Sequence, residues 1–166
     1  MNTFWKNTIW YVLLALTTVC AAVFAIGKSH DRKRHFAFFI SVSGLTFFIE
    51  ISLFGFFKAY QYYPMIFLHI SSLDDGLAGN IFSQFSIAST LLLVCVFNLK
   101  HFWVFIFAAV YGLIEELFLR LEIYEHYWYR TWMTVAGFII LTYFVRLIYY
   151  RTFNKPGKAL QYLLIF

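Results

Sequence analysis

The sequence carries little charge. Asp, Glu, Lys and Arg make up 13% of its 166 residues, against roughly 25% in soluble domains. Hydrophobic residues reach 62%, against about 45–50% apolar residues in soluble domains. Five long apolar runs could not all be buried by so little polar surface, which excludes a soluble domain. The length leaves room for about five spans of roughly 20 residues each, so we expect an all-α integral membrane bundle.

Cysteine is also scarce, and several motifs are missing. The two cysteines, Cys20 and Cys95, form neither a Cys-x-x-Cys motif nor a Cys/His metal spacing, and they offer no disulfide framework. Both lie inside apolar runs, where we expect packed free thiols. The sequence has no Gly-rich phosphate loop, no His-Glu-x-x-His and no Gly-x-Ser-x-Gly motif, and it therefore names no cofactor and no familiar catalytic centre.

Hydropathy divides the chain into five predicted spans. They cover residues 9–26, 36–57, 73–98, 102–119 and 131–150. Residues 1–151 would form the bundle and residues 152–166 a tail at the membrane interface. Residues 58–72 are too interrupted by Pro64 to cross the membrane, and Ser72 with Asp75 fits a capping box at the start of the third span. A six-span or re-entrant arrangement that uses residues 69–97 remains an alternative.

Aromatic and basic residues predict how the spans lie in the membrane. Phe, Tyr and Trp make up 23% of the chain and cluster near span ends, as in interfacial belts. Nine Lys and Arg residues fall on one side and four on the other, which predicts a cytoplasmic (inner) membrane protein with its N-terminus outside and its C-terminus inside. The basic loop at residues 28–35 fits this topology signal, and a headgroup- or partner-binding patch is the alternative. Nucleic acid is not expected as a partner.

The third span is unusually polar in its first half. Asn80 and Gln84 are four residues apart and share one helix face, and small or polar residues surround them. Such residues let helices approach closely and form interhelical hydrogen bonds. We therefore expect this span to be buried by its neighbours rather than exposed to lipid. Ala108 and Gly112 predict a similar close approach for the fourth span.

Acidic residues inside the apolar runs predict a polar layer. Glu50 and Glu115 lie 14 residues from the inner ends of their spans, and Gln84 lies 14 residues from the end of the antiparallel third span. At a rise of 1.5 Å per residue, all three are about 21 Å from the inner surface. Because a charge in hydrocarbon costs several kcal/mol, such acids are paired, protonated or turned toward a polar cavity. We predict a cavity that opens toward the outer side.

The predicted pocket and its rim combine acidic, basic and amide side chains from the spans and from the segments that connect them. The pocket residues are Glu50, Asn80, Gln84, Glu115, Glu116, Arg120 and His126, and the rim residues are His69, Asp74 and Asp75. Glu116 and Arg120 are spaced for an ion pair along one helix face, which would either fix packing alone or form part of the pocket. Glu115 points about 100° away from Glu116 and can reach Gln84 or Asn80. Glu50 fits a protonated, hydrogen-bonded residue better than a ligand.

The sequence Glu115-Glu116-x-x-x-Arg120 resembles the first motif of the intramembrane prenyl-endopeptidase-like proteins. Those proteins continue with Phe-x-x-x-His and His-x-x-x-Asn/Asp elements. Here only His126 follows, with Arg130 at the fourth position after it. The resemblance implies a membrane-embedded hydrolase in which the two glutamates carry the chemistry, but the motif set is incomplete.

A longer stretch resembles a family of small multi-spanning membrane proteins from spore-forming bacteria. The similarity covers roughly residues 60 to 135. It is carried by residues 73–85, 115–119, 123–126 and 128–132. The resemblance implies a bacterial multi-spanning topology. The family has no agreed activity, so it assigns no catalytic residue.

Three functions remain as hypotheses. The leading one is a membrane binding or transport-type protein with an outward-facing acidic pocket. The second is a membrane-embedded hydrolase or transferase that uses Glu115 and Glu116, with or without a metal held through His69 or His126. The third is a structural or accessory subunit whose polar layer only sets the register of the helices. The lipid bilayer is the expected partner, and a five-span carrier would need to form a homo-oligomer.

Overall fold

The computed structural model describes residues 4–66 and 72–154 of the chain. Five α-helices follow one another: α1 Ile9–Lys28, α2 Arg32–Ile51, α3 Ser72–Val96, α4 His101–Arg120 and α5 Thr131–Asn154. A π-helical turn precedes α1 at Phe4–Thr8, and another follows α2 at Ser52–Phe56. All five helices are long and apolar enough to cross a membrane, which confirms the all-α membrane bundle expected from the sequence.

The helices begin and end within a few residues of the predicted spans, and the differences have physical causes. α2 begins four residues before the predicted start, because the Asp31 carboxylate accepts a hydrogen bond from the Arg34 backbone N–H and caps the helix. α5 continues to Asn154, past the expected boundary at residue 151. Hydropathy misses the charged start of α2 and the end of α5, because a helix can continue into the interface, where its charged side chains reach water.

A two-stranded sheet lies at one end of the bundle, where the sequence predicts only an interfacial and a connecting segment. Strand β1, Tyr60–Tyr62, pairs antiparallel with β2, Tyr124–His126, and Tyr62 lies opposite Tyr124. Side chains alternate across a strand, so Tyr60 and Tyr62 are buried while Gln61 is partly exposed. Strands of three residues that pair across more than 60 positions of sequence leave too short a pattern for sequence analysis to detect.

α3 is the centre of the bundle, as its polar sequence predicts. It packs mainly against α1 and α2 and also contacts α4 and α5, whereas α4 packs mainly on α5. In its most apolar stretch 56% of the residues are buried, against at most 28% in the other four spans.

Gly79 permits the close approach of the sheet, since a Cβ there would lie 2.8 Å from the Tyr62 Cβ. A Cβ at Gly112 would lie 2.9 Å from a Val135 methyl group of α5, which confirms the predicted close approach of α4.

Polar groups tie together the end of the bundle that carries the sheet, here called the sheet end. The Asn7 side-chain amide donates to the Tyr63 carbonyl at 2.8 Å. The Tyr11 hydroxyl donates to the Ile123 carbonyl at 3.0 Å. These two bonds fasten the start of α1 to both connections that meet there, so the sheet end closes one end of the bundle.

The opposite end, here called the basic end, carries the α1–α2 and α3–α4 connections. Arg34 donates to the Thr152 carbonyl, and its guanidinium lies 4.6 Å from the centroid of the Phe153 ring. Arg146 donates to the Leu99 carbonyl in the α3–α4 turn. Arginine side chains commonly satisfy carbonyl groups near helix ends.

The two cysteines lie in different environments. Cys95 is buried in the main hydrophobic core, as predicted. Cys20 is exposed, so the prediction of a packed thiol is wrong there. α1 buries a narrow face that includes Ala22 and Ala25, and Cys20 lies outside that face.

Candidate functional site

A polar cavity of about 60 Å³ lies near the sheet end of the bundle. Every helix and both strands contribute to its wall. Two lining side chains are carboxyls, Glu50 of α2 and Glu115 of α4. Five are tyrosines: Tyr11, Tyr62, Tyr111, Tyr124 and Tyr129. Acids inside a membrane bundle need compensation, so the partners of each acid decide what the cavity can bind.

Glu115 has a partner on each carboxyl oxygen. Oε1 forms a hydrogen bond of 2.6 Å with Nε2 of His126 in β2, and Oε2 accepts a bond from the Thr134 hydroxyl of α5. The Glu115 side chain is 9% exposed and that of His126 is 10% exposed. A buried carboxylate is tolerated when it is paired and hydrogen-bonded. These contacts therefore compensate Glu115 and join α4, β2 and α5.

Glu50 has no comparable set of partners. It is the last residue but one of α2, beside the π-helical turn at Ser52–Phe56, and π-helical turns are frequent at functional sites. Its Oε2 is buried without a hydrogen bond from any residue that the structure describes, and Nε2 of Gln84 in α3 is equally unpartnered. Native proteins leave few buried polar groups unsatisfied. Among the described side chains that line a cavity in this region, Glu50 and Gln84 therefore have hydrogen-bonding capacity left for a ligand.

Three of the tyrosines form an aromatic cluster with Tyr60. The ring centroids of Tyr62 and Tyr124 are 4.8 Å apart, and Tyr60 lies 5.4 Å from Tyr124 and 5.2 Å from Tyr129. Burial raises the pKa of the Tyr62 phenol well above its usual range, and the nearby Glu50 carboxyl raises it further. Burial also raises the pKa of Tyr129 to about 12. Both phenols therefore stay neutral at physiological pH and contribute hydroxyl groups and ring faces without adding charge.

A larger, mostly apolar cavity of about 300 Å³ adjoins the polar one. The two cavities share the side chains of Glu50, Ile87, Tyr111, Tyr129 and Thr134. From this junction the larger cavity extends between α2 and α5, past Ile49, Leu53, Ile140, Leu141 and Phe144. Ile49, Ile140 and Phe144 are exposed on the sides of these helices, so the larger cavity opens sideways toward the hydrocarbon of a membrane.

Four of the predicted pocket residues come together in the structure. Glu50, Gln84 and Glu115 line the two adjoining cavities, and His126 is bonded to Glu115. Asn80, one turn before Gln84 on α3, is fully buried, and neither polar atom of its side chain has a hydrogen-bond partner among the described residues. It is not among the side chains that line either cavity.

Glu116 and Arg120 lie outside the pocket, and the ion pair predicted between them is wrong. The structure describes both side chains, which are exposed, and they form no ion pair with each other. Glu116 accepts a hydrogen bond from the hydroxyl of Thr131 at the start of α5. An exposed pair at this helical spacing contributes only about 0.2–0.5 kcal/mol. A hydroxyl on the neighbouring helix is therefore enough to redirect Glu116.

Only Asp75 of the three predicted rim residues can be placed with its side chain. Its two carboxyl oxygens accept hydrogen bonds of 2.8 Å from the backbone N–H groups of Met65 and Ile66. Asp75 therefore binds the segment before α3, and it does not line the two cavities. His69 and the side chains of Ser72 and Asp74 lie outside the described residues.

One enzyme hypothesis includes a metal ion, and the structure brings two side chains of metal-binding type, Glu115 and His126, into contact. Within residues 4–66 and 72–154, no three side chains of His, Cys, Asp or Glu are grouped to hold a metal ion. Of the two predicted metal ligands, His126 has Glu115 beside it. The other, His69, lies outside those ranges.

The tyrosines and Thr134 are the site residues that sequence analysis missed. Tyr62, Tyr124 and Tyr129 occupy positions that fit an interfacial aromatic belt, and the pairing of β1 with β2 brings them to the cavity instead. The aromatic alternation of Tyr60 and Tyr62 is the one sequence signal of a strand here. Thr134 carries no signal, because its role depends on how α5 packs against α4.

Comparison of the chain with protein-family models, with curated proteins and with solved structures finds no match.

Proposed function

We propose that the chain is an integral membrane protein of the binding or transport type, and that its ligand is a small cation. The difference between the two acids of the cavity carries this proposal. Glu115 has a partner on each oxygen, whereas a buried oxygen of Glu50 has none among the described residues. A buried carboxylate without a counter-charge is unfavourable. A bound cation would be the partner of the Glu50 carboxylate, as His126 and Thr134 are the partners of the Glu115 carboxylate.

The tyrosines favour a cation over a neutral polar ligand. Aromatic ring faces attract cations, most strongly where water is excluded. Phenol oxygens also accept hydrogen bonds from an ammonium group. The cavity volume of about 60 Å³ corresponds to only a few water molecules at roughly 10–15 Å³ each. The charged part of the ligand is therefore small, such as an alkali-metal ion or a primary ammonium group.

We also propose in which membrane the protein lies and which end of the bundle faces outward. The bias of Lys and Arg supports a cytoplasmic membrane location with the basic end inside and the sheet end outside. The polar cavity would then lie in the outer half of the bilayer. The resemblance over residues 60–135 to the family from spore-forming bacteria supports a bacterial source. That stretch includes Glu115, Gln84 and both strands, so it covers much of the cavity wall.

Binding and flux measurements on the purified protein test the proposal. The probes are sodium, potassium and methylammonium chloride, titrated in detergent by calorimetry and followed as flux into liposomes. We expect the wild type to bind at least one of them. Glu50→Gln keeps the shape of the side chain but removes its charge, and it should weaken binding about 10- to 100-fold.

Glu116→Gln is the matched control, because it makes the same chemical change at an exposed position. It should bind cations as the wild type does. The proposal is wrong if no cation binds, or if Glu50→Gln binds and transports as well as the wild type. Equal loss of stability in the Gln variants of Glu50, Glu115 and Glu116, without a selective loss of binding, would favour the structural subunit.

The contact between Glu115 and His126 supports a second candidate, a membrane-embedded hydrolase or transferase. A carboxylate and an imidazole 2.6 Å apart beside a cavity form an oriented acid–base pair. Glu116, the other glutamate of the prenyl-endopeptidase-like motif, is exposed and does not line the cavity. Stoichiometric zinc or another divalent metal in the purified protein, lost in His126→Ala, would favour the enzyme. Metal-free protein that binds monovalent cations would favour the binding protein.

A further inference from the structure

We infer that the cation is the head of an amphiphilic amine, a single ammonium group on an alkyl chain. This inference rests on the proposed function and names its ligand class. The ammonium group occupies the polar cavity beside Glu50, and the alkyl chain occupies the apolar cavity between α2 and α5. The two cavities meet at Glu50, Ile87, Tyr111, Tyr129 and Thr134, so one molecule can fill both.

The polar cavity matches an ammonium head. An ammonium group has three donors and no acceptor, and the buried Oε2 of Glu50 is an acceptor that no described residue uses. Among the described residues, no Lys or Arg lines either cavity, so no basic side chain there competes for Glu50. The hydroxyl of Tyr111 is engaged by Ser86 at 3.0 Å and Thr90 at 2.9 Å. Tyr111 therefore offers its ring to the ligand and not its hydroxyl.

The larger cavity matches an alkyl chain. It has about five times the volume of the polar one, about 300 Å³ against about 60 Å³, and its outer part is lined by Ile140, Leu141 and Phe144. A bare inorganic cation would leave this apolar space without a function. A neutral lipid would leave Glu50 without a counter-charge. An amine with a hydrocarbon chain both fills the apolar cavity and supplies a positive charge next to Glu50.

The packing of the helices explains why this space opens sideways. α2 packs mainly on α3, and α5 packs mainly on α4. α2 and α5 meet at the basic end, where Arg34 donates to the Thr152 carbonyl and His35 contacts the Tyr149 hydroxyl, and nearer the sheet end the larger cavity lies between them. The cleft between them is bordered by Ile49 and Ile140, which are exposed. An amphiphilic amine in a bilayer keeps its chain in the hydrocarbon, so it can reach the cleft without crossing water.

Substitution of Gly137 tests where the alkyl chain of the ligand lies. It lines the larger cavity on α5, and a Cβ there would meet nothing within 4 Å. The Cβ of Gly137→Leu therefore has room, and the larger side chain should narrow the cavity. Gly44→Leu on α2 is the matched control, because a Cβ at Gly44 also meets nothing within 4 Å and Gly44 does not line this cavity.

The experiment titrates a series of n-alkylammonium ions, from methylammonium to hexylammonium, into wild type and variants in one detergent. Partitioning of the amine into micelles is then the same for every variant and cancels in the comparison. We expect affinity for the wild type and for Gly44→Leu to rise with chain length, by up to about fourfold per buried methylene. Gly137→Leu should bind methylammonium as the wild type does and lose the gain from longer chains. Leu141→Phe, which also narrows the cavity, should show a smaller loss of the same kind.

The outcomes separate this inference from the proposed function. If methylammonium binds through Glu50 but Gly137→Leu and Leu141→Phe keep the full gain with chain length, the position of the alkyl chain is wrong and the cation site stands. If inorganic cations bind through Glu50 and no alkylammonium ion does, the amine is wrong and the cation site again stands. If nothing in either series binds, both fail together.

Discussion

Glu115 and His126 are 11 positions apart in the chain, and their side chains meet at 2.6 Å. The contact depends on a tight reversal after α4. Glu122 adopts a positive φ of 57° there, which non-glycine residues adopt rarely. The next residue, Ile123, is fully buried, and its N–H donates to the Phe118 carbonyl at 3.1 Å. Burial of Ile123 and the contact between Glu115 and His126 thus hold a backbone turn that is locally unfavourable.

His126→Ala should destabilise the bundle. The substitution leaves Glu115 buried with Thr134 as its single partner, and an unmade buried hydrogen bond costs about 1–3 kcal/mol. The measurement is the melting temperature of the purified protein in detergent. His101→Ala is the control, because His101 is exposed and bonds only to the hydroxyl of Tyr143 among the described residues. Equal melting of the two variants would show that the contact between Glu115 and His126 contributes little to stability.

Glu50→Leu should melt at the same temperature as the wild type or higher, while it loses cation binding. The buried Oε2 of Glu50 has no partner among the described residues, and replacing such a polar group by an apolar group of similar size is neutral or stabilising. Glu115→Leu should instead lower the melting temperature, because it removes the bonds of Glu115 to His126 and Thr134. The measurement is the melting temperature of each variant compared with that of the wild type. A loss of stability in Glu50→Leu as large as that in Glu115→Leu would mean that Glu50 already has a structural partner.

Single-cysteine labelling tests the orientation. In a background with Cys20 and Cys95 replaced by Ala, a cysteine at exposed His30 should react with an impermeant reagent only after the cells are permeabilised. A cysteine at exposed Arg130 should react in intact cells. The reverse pattern would place the sheet end and the polar cavity in the cytoplasmic half of the membrane.

Gly79→Ala should destabilise the junction of α3 with the sheet. The new methyl group would lie 2.8 Å from the Tyr62 Cβ, an atom too close to the backbone to move freely. Overpacking of this kind costs about 1–3 kcal/mol. Gly44→Ala is the control and should be neutral or stabilising, since its methyl group meets nothing within 4 Å and alanine favours a helix. Thermal melting compares the two, and an unchanged Gly79→Ala would show that the sheet can shift away from α3.

The sequence alone determined the helical class, the five spans and the central position of α3. Hydropathy and helix length are local properties of the chain. A run such as residues 102–119 can therefore be recognised as a span without knowing which helices pack against it. The rise of a helix is equally local, and counting residues assigned Glu50, Gln84 and Glu115 to one depth. The structure has these three side chains on two adjoining cavities.

Only the tertiary structure decided which polar groups are partnered. Helical spacing favours Glu116 with Arg120 and directs Glu115 toward Gln84 or Asn80. In the structure Glu116 is exposed, and Glu115 is held by His126 and Thr134 instead. The same applies to the tyrosines, which face the cavity because two three-residue strands pair across the bundle. Partners on different elements are set by how those elements pack, and packing depends on contacts between residues far apart in the chain. Periodicity along one helix contains no information about them.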